Sequence, residues 1–242
     1  MMPNFLLDIE GTTTPISFVH QILFPYSRDR MAEFLANQTL DVLEFTQIKQ
    51  EFEKDVFLAD PEFLKAFPNT ISITRNDLPA YLCYLIDRDR KFGPLKRIQG
   101  EIWKKGYEAG EIKSQLFEDV PEFLKKAKES KISCYVYSSG SVEAQKLIYQ
   151  YSTFGDLREY FQGYFDTAMG GKRERQSYQN IAHQIEADPE TFIFFTDIVE
   201  EAEAASLAGM RAVVLDRPGN TVQKAHSFTV KKDLKTIDDL NF

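Results

Sequence analysis

Phe5-Leu6-Leu7-Asp8-Ile9-Glu10-Gly11-Thr12-Thr13-Thr14-Pro15 opens as an apolar run, stops at an acid and passes into a polar loop closed by a proline. A short apolar run bounded by turn residues is the pattern of a buried strand, which places Asp8 at the strand's carboxyl end. In open parallel sheets the crevice outside those ends is where ligands bind. Asp8 and Glu10 are therefore candidates for chemistry if other strands end beside them.

The C-terminal half supplies such strands. From about residue 119, Pro121–Ser130 reads as helix, Ile132–Tyr137 as strand, and Ser141–Tyr151 as helix with Ser141 at its N-cap. Gly163–Phe165 is a weak strand, Glu174–Ile185 a helix, Thr191–Phe195 a strong strand, and Val199–Ala208 a helix stopped by Gly209. Arg211–Leu215 and Ser227–Val230 add two short strands, and this alternation predicts a parallel sheet flanked by helices. Between the first strand and this half the pattern changes: Ile16, Val19, Ile22 and Leu23 recur at helical spacing, as do apolar positions in Leu78–Arg90 and Pro94–Ala109. The expected fold is α/β: a doubly wound parallel-sheet core from residues 1–15 and 113–242, with 16–112 inserted as a helical cap.

With 242 residues, 43% hydrophobic and 27% charged, the chain has the makeup of an ordinary soluble domain. A formal charge of −8 argues against nucleic acid or an anionic membrane as partner. A phosphorylated small molecule remains compatible, because surface fields are screened within about 8 Å and a few local cations govern a pocket. Cys83 and Cys134 form no C-x-x-C pair, so a disulfide framework and a thiolate zinc site both lack their parts, and a reducing cytoplasm is expected. Met1-Met2-Pro3-Asn4 lacks the basic flank of a secretory signal, and no run approaches the roughly 18 apolar residues of a membrane span. A monomer is the expectation.

Four strands would deliver polar groups to one edge: Asp8 and Glu10 after the first, Ser138 and Ser139 after the second, Lys172 beyond the third, and Asp197 after the fourth. These are the parts of phosphoryl transfer. An aspartate attacks phosphorus, a second acid holds Mg²⁺, a lysine offsets the negative charge, and hydroxyl and amide donors hold phosphate oxygens. Singly each has an ordinary reading: an acidic loop, a turn and cap at Ser138-Ser139-Gly140, a surface lysine after Gly170-Gly171. Their order along the chain is more informative. His20, His183 and His226 show no paired ligand spacing, and His20 is expected on a cap helix. Trp103 and Cys134 are read as packing residues, and Glu200, Glu201 and Glu203 as first-turn acids that complement a helix dipole, within reach of a metal-bound water.

The order D-x-E-G-T-T, strand-S-S-G-S, G-G-K, strand-T-D resembles the haloacid dehalogenase superfamily. More narrowly, Asp8–Ile16, Leu23-Phe24-Pro25-Tyr26, and Tyr135 through Lys146 resemble its enolase-phosphatases. Most of the superfamily carries D-x-D where this chain has Asp8-Ile9-Glu10. The resemblance implies Asp8 as nucleophile and magnesium ligand, Glu10 as a second catalytic and magnesium-site residue, and Ser138 and Ser139 as contacts of the substrate phosphate. It further implies Lys172 as partner of both phosphate and nucleophile, Asp197 as the remaining carboxylate ligand, and one Mg²⁺ per chain. The implied reaction is enolisation and dephosphorylation of 2,3-diketo-5-methylthiopentyl-1-phosphate. A phosphatase of another phosphometabolite, or a non-catalytic phospholigand-binding module, are the rival readings.

Overall fold

The buried run at the start forms β1 (Asn4–Leu7), with Phe5, Leu6 and Leu7 all fully buried in a computed structural model that describes residues 3–38 and 40–235. It pairs in parallel with β2 (Ser133–Tyr137) on one side, with Leu7 opposite Val136. On its other side lies β4 (Phe192–Thr196), with Leu7 opposite Phe195. β3 (Phe161–Phe165), β5 (Arg211–Leu215) and β6 (Thr229–Lys231) complete a parallel sheet of order β3-β2-β1-β4-β5-β6. The order reverses at β1, so the ends of β1, β2 and β4 bound a crevice at the topological switch point. This is the doubly wound parallel sheet the alternation predicts.

The chain divides into two compact units, one of Met1–Ile22 with Gly106–Phe242 and one of Leu23–Lys105. In the first, α1 (Ile16–Phe18) runs into a π-helical turn, Val19–Leu23. The second holds α2 (Phe24–Ala36), α3 (Val42–Leu58), α4 (Pro61–Ala66), α5 (Leu78–Asp87) and most of α6 (Gly93–Glu108). Beyond them α7 (Val120–Glu129), α8 (Val142–Gln150), α9 (Arg175–Gln184) and α10 (Val199–Leu207) flank the sheet. Residues 16–22 and 106–112 thus fall with the sheet rather than with the insertion. Packing is the reason: Phe18 is fully buried, and Tyr107 hydrogen-bonds Ser114 at 2.7 Å and stacks on Tyr151 with ring centres 5.3 Å apart.

Aromatic packing locks the sheet. Phe5 stacks on Phe123 of α7 and meets Phe195 edge-on, both at 5.3 Å, while Tyr178 of α9 meets Tyr137 at 5.5 Å and Phe194 at 5.1 Å. The helical unit has its own core of Met31, Ile48, Phe52, Phe63, Tyr81, Leu82, Leu85 and Ile98. Its buried Asp55 is satisfied by the Tyr81 hydroxyl at 2.8 Å and Arg90 at 2.9 Å. Trp103 packs within this unit, donating from Nε1 to the Leu23 carbonyl at 2.7 Å.

Candidate active site

Asp8 extends the pairing of β1 by one residue, its amide donating to the Phe195 carbonyl at 2.9 Å, before the chain turns away. The turn is tight because the amides of Thr12, Thr13 and Thr14 all donate to the Ile9 carbonyl, at 3.2, 2.9 and 2.8 Å. Gly11 sits at φ +70°, and a Cβ there would lie 2.3 Å from Asp197 Oδ2, so the loop after β1 packs directly on the acid after β4. The loop is gripped from behind as well. Asn220 Nδ2 donates to the Gly11 carbonyl at 2.9 Å and Arg217 Nη2 to the Thr12 carbonyl at 3.0 Å, with Arg217 in turn paired to buried Asp119 at 2.8 Å. This rigid loop aims Asp8 at the crevice.

Lys172 reaches into the same place. Its Nζ lies 2.6 Å from Asp8 Oδ1 and 2.7 Å from Glu201 Oε2, and the Lys172, Asp8 and Glu201 side chains are only 10%, 5% and 11% exposed. Glu201 also accepts from Thr196 Oγ1 at 2.8 Å. Burial raises the pKa of the Asp8 and Glu201 carboxyls against the pull of Lys172, and burial followed by the charge of Asp8 pushes Asp197 up to about 8. Burial alone would lower Lys172, but the charges of Asp8 and Glu201 outweigh it and leave the ammonium above the ordinary lysine range. Two buried carboxyls, Asp8 and Glu201, thus share one ammonium, and Asp197 lies near enough to feel the charge of all three. The cluster is short of positive charge.

Ser138 and Ser139 leave β2 beside Asp8, since the register sets Leu7 against Val136. Fully buried Gln145 ties their loop to the sheet, donating from Nε2 to the carbonyls of Gly140 and Phe165, both at 2.8 Å. Ser141 caps α8 by accepting from the Ala144 amide at 3.3 Å, so the loop lies at a helix N-terminus, whose dipole favours an anion. The structure therefore brings Asp8, Lys172 and Asp197 together and sets Ser138 and Ser139 on the adjacent strand end. Glu10, two residues beyond Asp8, has its Oε1 2.8 Å from His20 Nε2.

Two residues outside the four strand-end motifs contact these groups, Glu201 through Lys172 and His20 through Glu10. Glu201 is no mere dipole-complementing acid, and the signal for it was its place one helical turn past Asp197, which turns it toward the same strand end. His20 lies in the π-helical turn of the sheet-containing unit rather than on a cap helix. The extra residue of a π-turn rotates the following side chains, which spacing in the sequence does not report.

A divalent cation fits this site by the chemistry of its donors, which are hard carboxylate oxygens with unbalanced negative charge. Among the described residues no group of three or more His, Cys, Asp or Glu side chains forms a ready-made cage. Mg²⁺ is usually held by one or two carboxylates, with waters and substrate phosphate completing its shell.

The family model of the haloacid dehalogenase-like hydrolases matches residues 2–209. This chain is a haloacid dehalogenase-like hydrolase. Enolase-phosphatase E1 of Leptospira biflexa serovar Patoc is 55% identical to it over 239 residues, covering 93% of this chain and 96% of that protein. Enolase-phosphatase E1 of Leptospira borgpetersenii serovar Hardjo-bovis is 50% identical over 223 residues, covering 92% of this chain and 93% of that one. The crystal structure of the Unknown transcript 4 protein of Saccharomyces cerevisiae matches with a TM-score of 0.75 at 33% identity, over 98% of this chain and 100% of that one. The hydrolase thus carries its nucleophile candidate, its lysine and its second aspartate on a fold shared nearly end to end with these relatives. No helix among its described residues is long and apolar enough to cross a membrane.

Proposed function

We propose that this hydrolase converts 2,3-diketo-5-methylthiopentyl-1-phosphate to the acireductone and inorganic phosphate, the enolase-phosphatase step of methionine salvage, as a cytoplasmic enzyme using one Mg²⁺ per chain. The observation that carries the chemistry is the Lys172 ammonium 2.6 Å from Asp8 at a crevice lined by further buried acids. Asp8 is the nucleophile: its Oδ attacks phosphorus, the bond to the substrate oxygen breaks, and an aspartyl-phosphate forms that water then hydrolyses. Lys172 holds its proton throughout and offsets charge on the phosphoryl oxygens. Ser138 and Ser139 bind those oxygens at the N-terminus of α8. Asp8 and Asp197 would hold the metal, with Glu10 as a further residue of the metal site, and Mg²⁺ when bound would supply charge neutralisation for the transferring phosphoryl group.

Enolisation needs a base at the C1 protons instead. Asp8 is committed to phosphorus, so Glu10, bonded to His20 at 2.8 Å, takes the proton. Purified protein assayed with the diketo-phosphate, with and without EDTA and beside a panel of other phosphometabolites, tests the reading. EDTA-sensitive phosphate release with a clear preference for the diketo-phosphate is expected. Equal or faster turnover of another phosphate ester would assign a different substrate, and no release from any ester would leave a binding module.

A further inference from the structure

Lys172 stands on a stretch without regular structure, between one 3₁₀ turn, Thr167–Met169, and the start of α9 at Arg175. A lysine has a long flexible stem, so its ammonium stays on Asp8 only if the backbone beneath it is fixed. Four successive carbonyls of this stretch each accept a side-chain hydrogen bond. Asn180 Nδ2 donates to Met169 O at 2.9 Å, the Tyr137 hydroxyl to Gly170 O at 2.9 Å, Ser177 Oγ to Gly171 O at 2.7 Å, and the Tyr178 hydroxyl to Lys172 O at 2.6 Å. Tyr137, Ser177 and Tyr178 are fully buried, and all four donors stand on β2 or α9. Gly170 makes the close approach possible, since at φ +123° a Cβ would fall 2.3 Å from Ser177 Oγ.

Buried hydroxyls need some acceptor, and one such bond would be ordinary satisfaction. Here every carbonyl from Met169 to Lys172 is bound to a regular element, ending on the residue that meets the nucleophile. We infer that Tyr178, Tyr137 and Ser177 are positioning residues of this hydrolase, which touch no reacting atom and act by fixing the Gly170–Lys172 backbone so that the Lys172 ammonium meets Asp8 and the substrate phosphate. The inference rests on the role of Lys172 proposed above and deepens it.

Tyr178→Phe removes one hydroxyl and keeps the ring packing. It should lower kcat about tenfold, one buried hydrogen bond at tenfold per ~1.4 kcal/mol, with KM changed less than about twofold. A structural role would slow any background alike, so the deciding measurement is single-turnover phosphate release, enzyme in excess, with and without Lys172→Ala. In the Lys172→Ala background Tyr178→Phe should cost less than about twofold, because the group it positions is gone. Full kcat in Tyr178→Phe, or the same loss in both backgrounds, overturns the inference. Should Tyr178→Phe melt below assay temperature, Ser177→Ala, which deletes a single oxygen, takes its place in the same cycle. Wild-type turnover by Lys172→Ala alone would instead sink the role of Lys172, so the two failures are distinguishable.

Discussion

Replacing Lys172 by alanine removes the ammonium that Asp8 and Glu201 share at 2.6 and 2.7 Å, in a cluster whose side chains are 5–11% exposed. At an effective dielectric near 20, a unit pair about 4 Å apart is worth about 4 kcal/mol, and breaking a buried pair by deleting one partner costs roughly 3–5 kcal/mol because the other charge is stranded. For a chain of this size, about 2–4 °C of Tm per kcal/mol translates that into a fall of roughly 6–20 °C without added metal. The rate should suffer separately, by the roughly 2.7–4 kcal/mol lost when one preorganised donor is removed, or about 10²–10³ in kcat. Melting curves and magnesium-saturated phosphate release measure the two effects. Adding Glu201→Gln to Lys172→Ala removes one of the stranded acids and should recover part of the Tm while leaving the rate low. A rate within about threefold of wild type would show that the ammonium does not face the reacting phosphate. An unchanged Tm would refute the buried-charge argument itself.

Asp8→Asn should abolish phosphate release yet still exchange the C1 protons of the substrate with deuterated solvent, and turnover within tenfold of wild type would remove Asp8 as nucleophile. Millimolar Mg²⁺ should raise the Tm of the wild type by mass action and leave Asp197→Asn nearly unmoved; equal shifts in both proteins would count against Asp197 as ligand. Gly11→Ala puts a Cβ 2.3 Å from Asp197 Oδ2 at φ +70°, so kcat should fall at least tenfold alongside a loss of roughly 1–2 kcal/mol of stability, and unaltered kinetics would mean the loop is not held against Asp197. Glu10→Gln should slow C1 exchange more than it slows hydrolysis of an already enolised phosphate, and normal exchange would move the base elsewhere.

The sheet was legible in the sequence because its central strands β1 and β4 are buried on both faces and therefore apolar almost without interruption. Phe5-Leu6-Leu7 and Phe192–Phe195 need no partner to be recognised, and the acids that follow them mark where the apolar run stops. The division between the units was less legible. Periodicity reports that residues 16–22 are helical, but the same apolar spacing serves a helix packed on the sheet or one in the insertion, and the choice was made by contacts such as that of Tyr107 with Ser114. The π-turn at Val19–Leu23 leaves no trace in spacing, so the meeting of His20 with Glu10 could be found only in three dimensions.

The site shows the same asymmetry. Asp8 and Asp197 follow strands, and a strand fixes its last residue to within one position, so topology alone delivers them to a common edge. Lys172 follows no strand directly, and Gly170-Gly171-Lys172 reads as any surface turn. What converts it into a buried ammonium at 2.6 Å from Asp8 is information spread over distant positions: the hydroxyls of Tyr137, Ser177 and Tyr178, each of which reads alone as core or cap. Glu201 completes the arrangement by making the lysine's burial tolerable, since an ammonium flanked by one carboxylate would be less well compensated than one flanked by two. With the lysine so held, Asp8 and Asp197 at two strand ends and Glu201 on α10 still outnumber the one ammonium among them. That residual charge is what a divalent cation would meet, and it would tie the proposed metal requirement to the same cluster that holds Asp8.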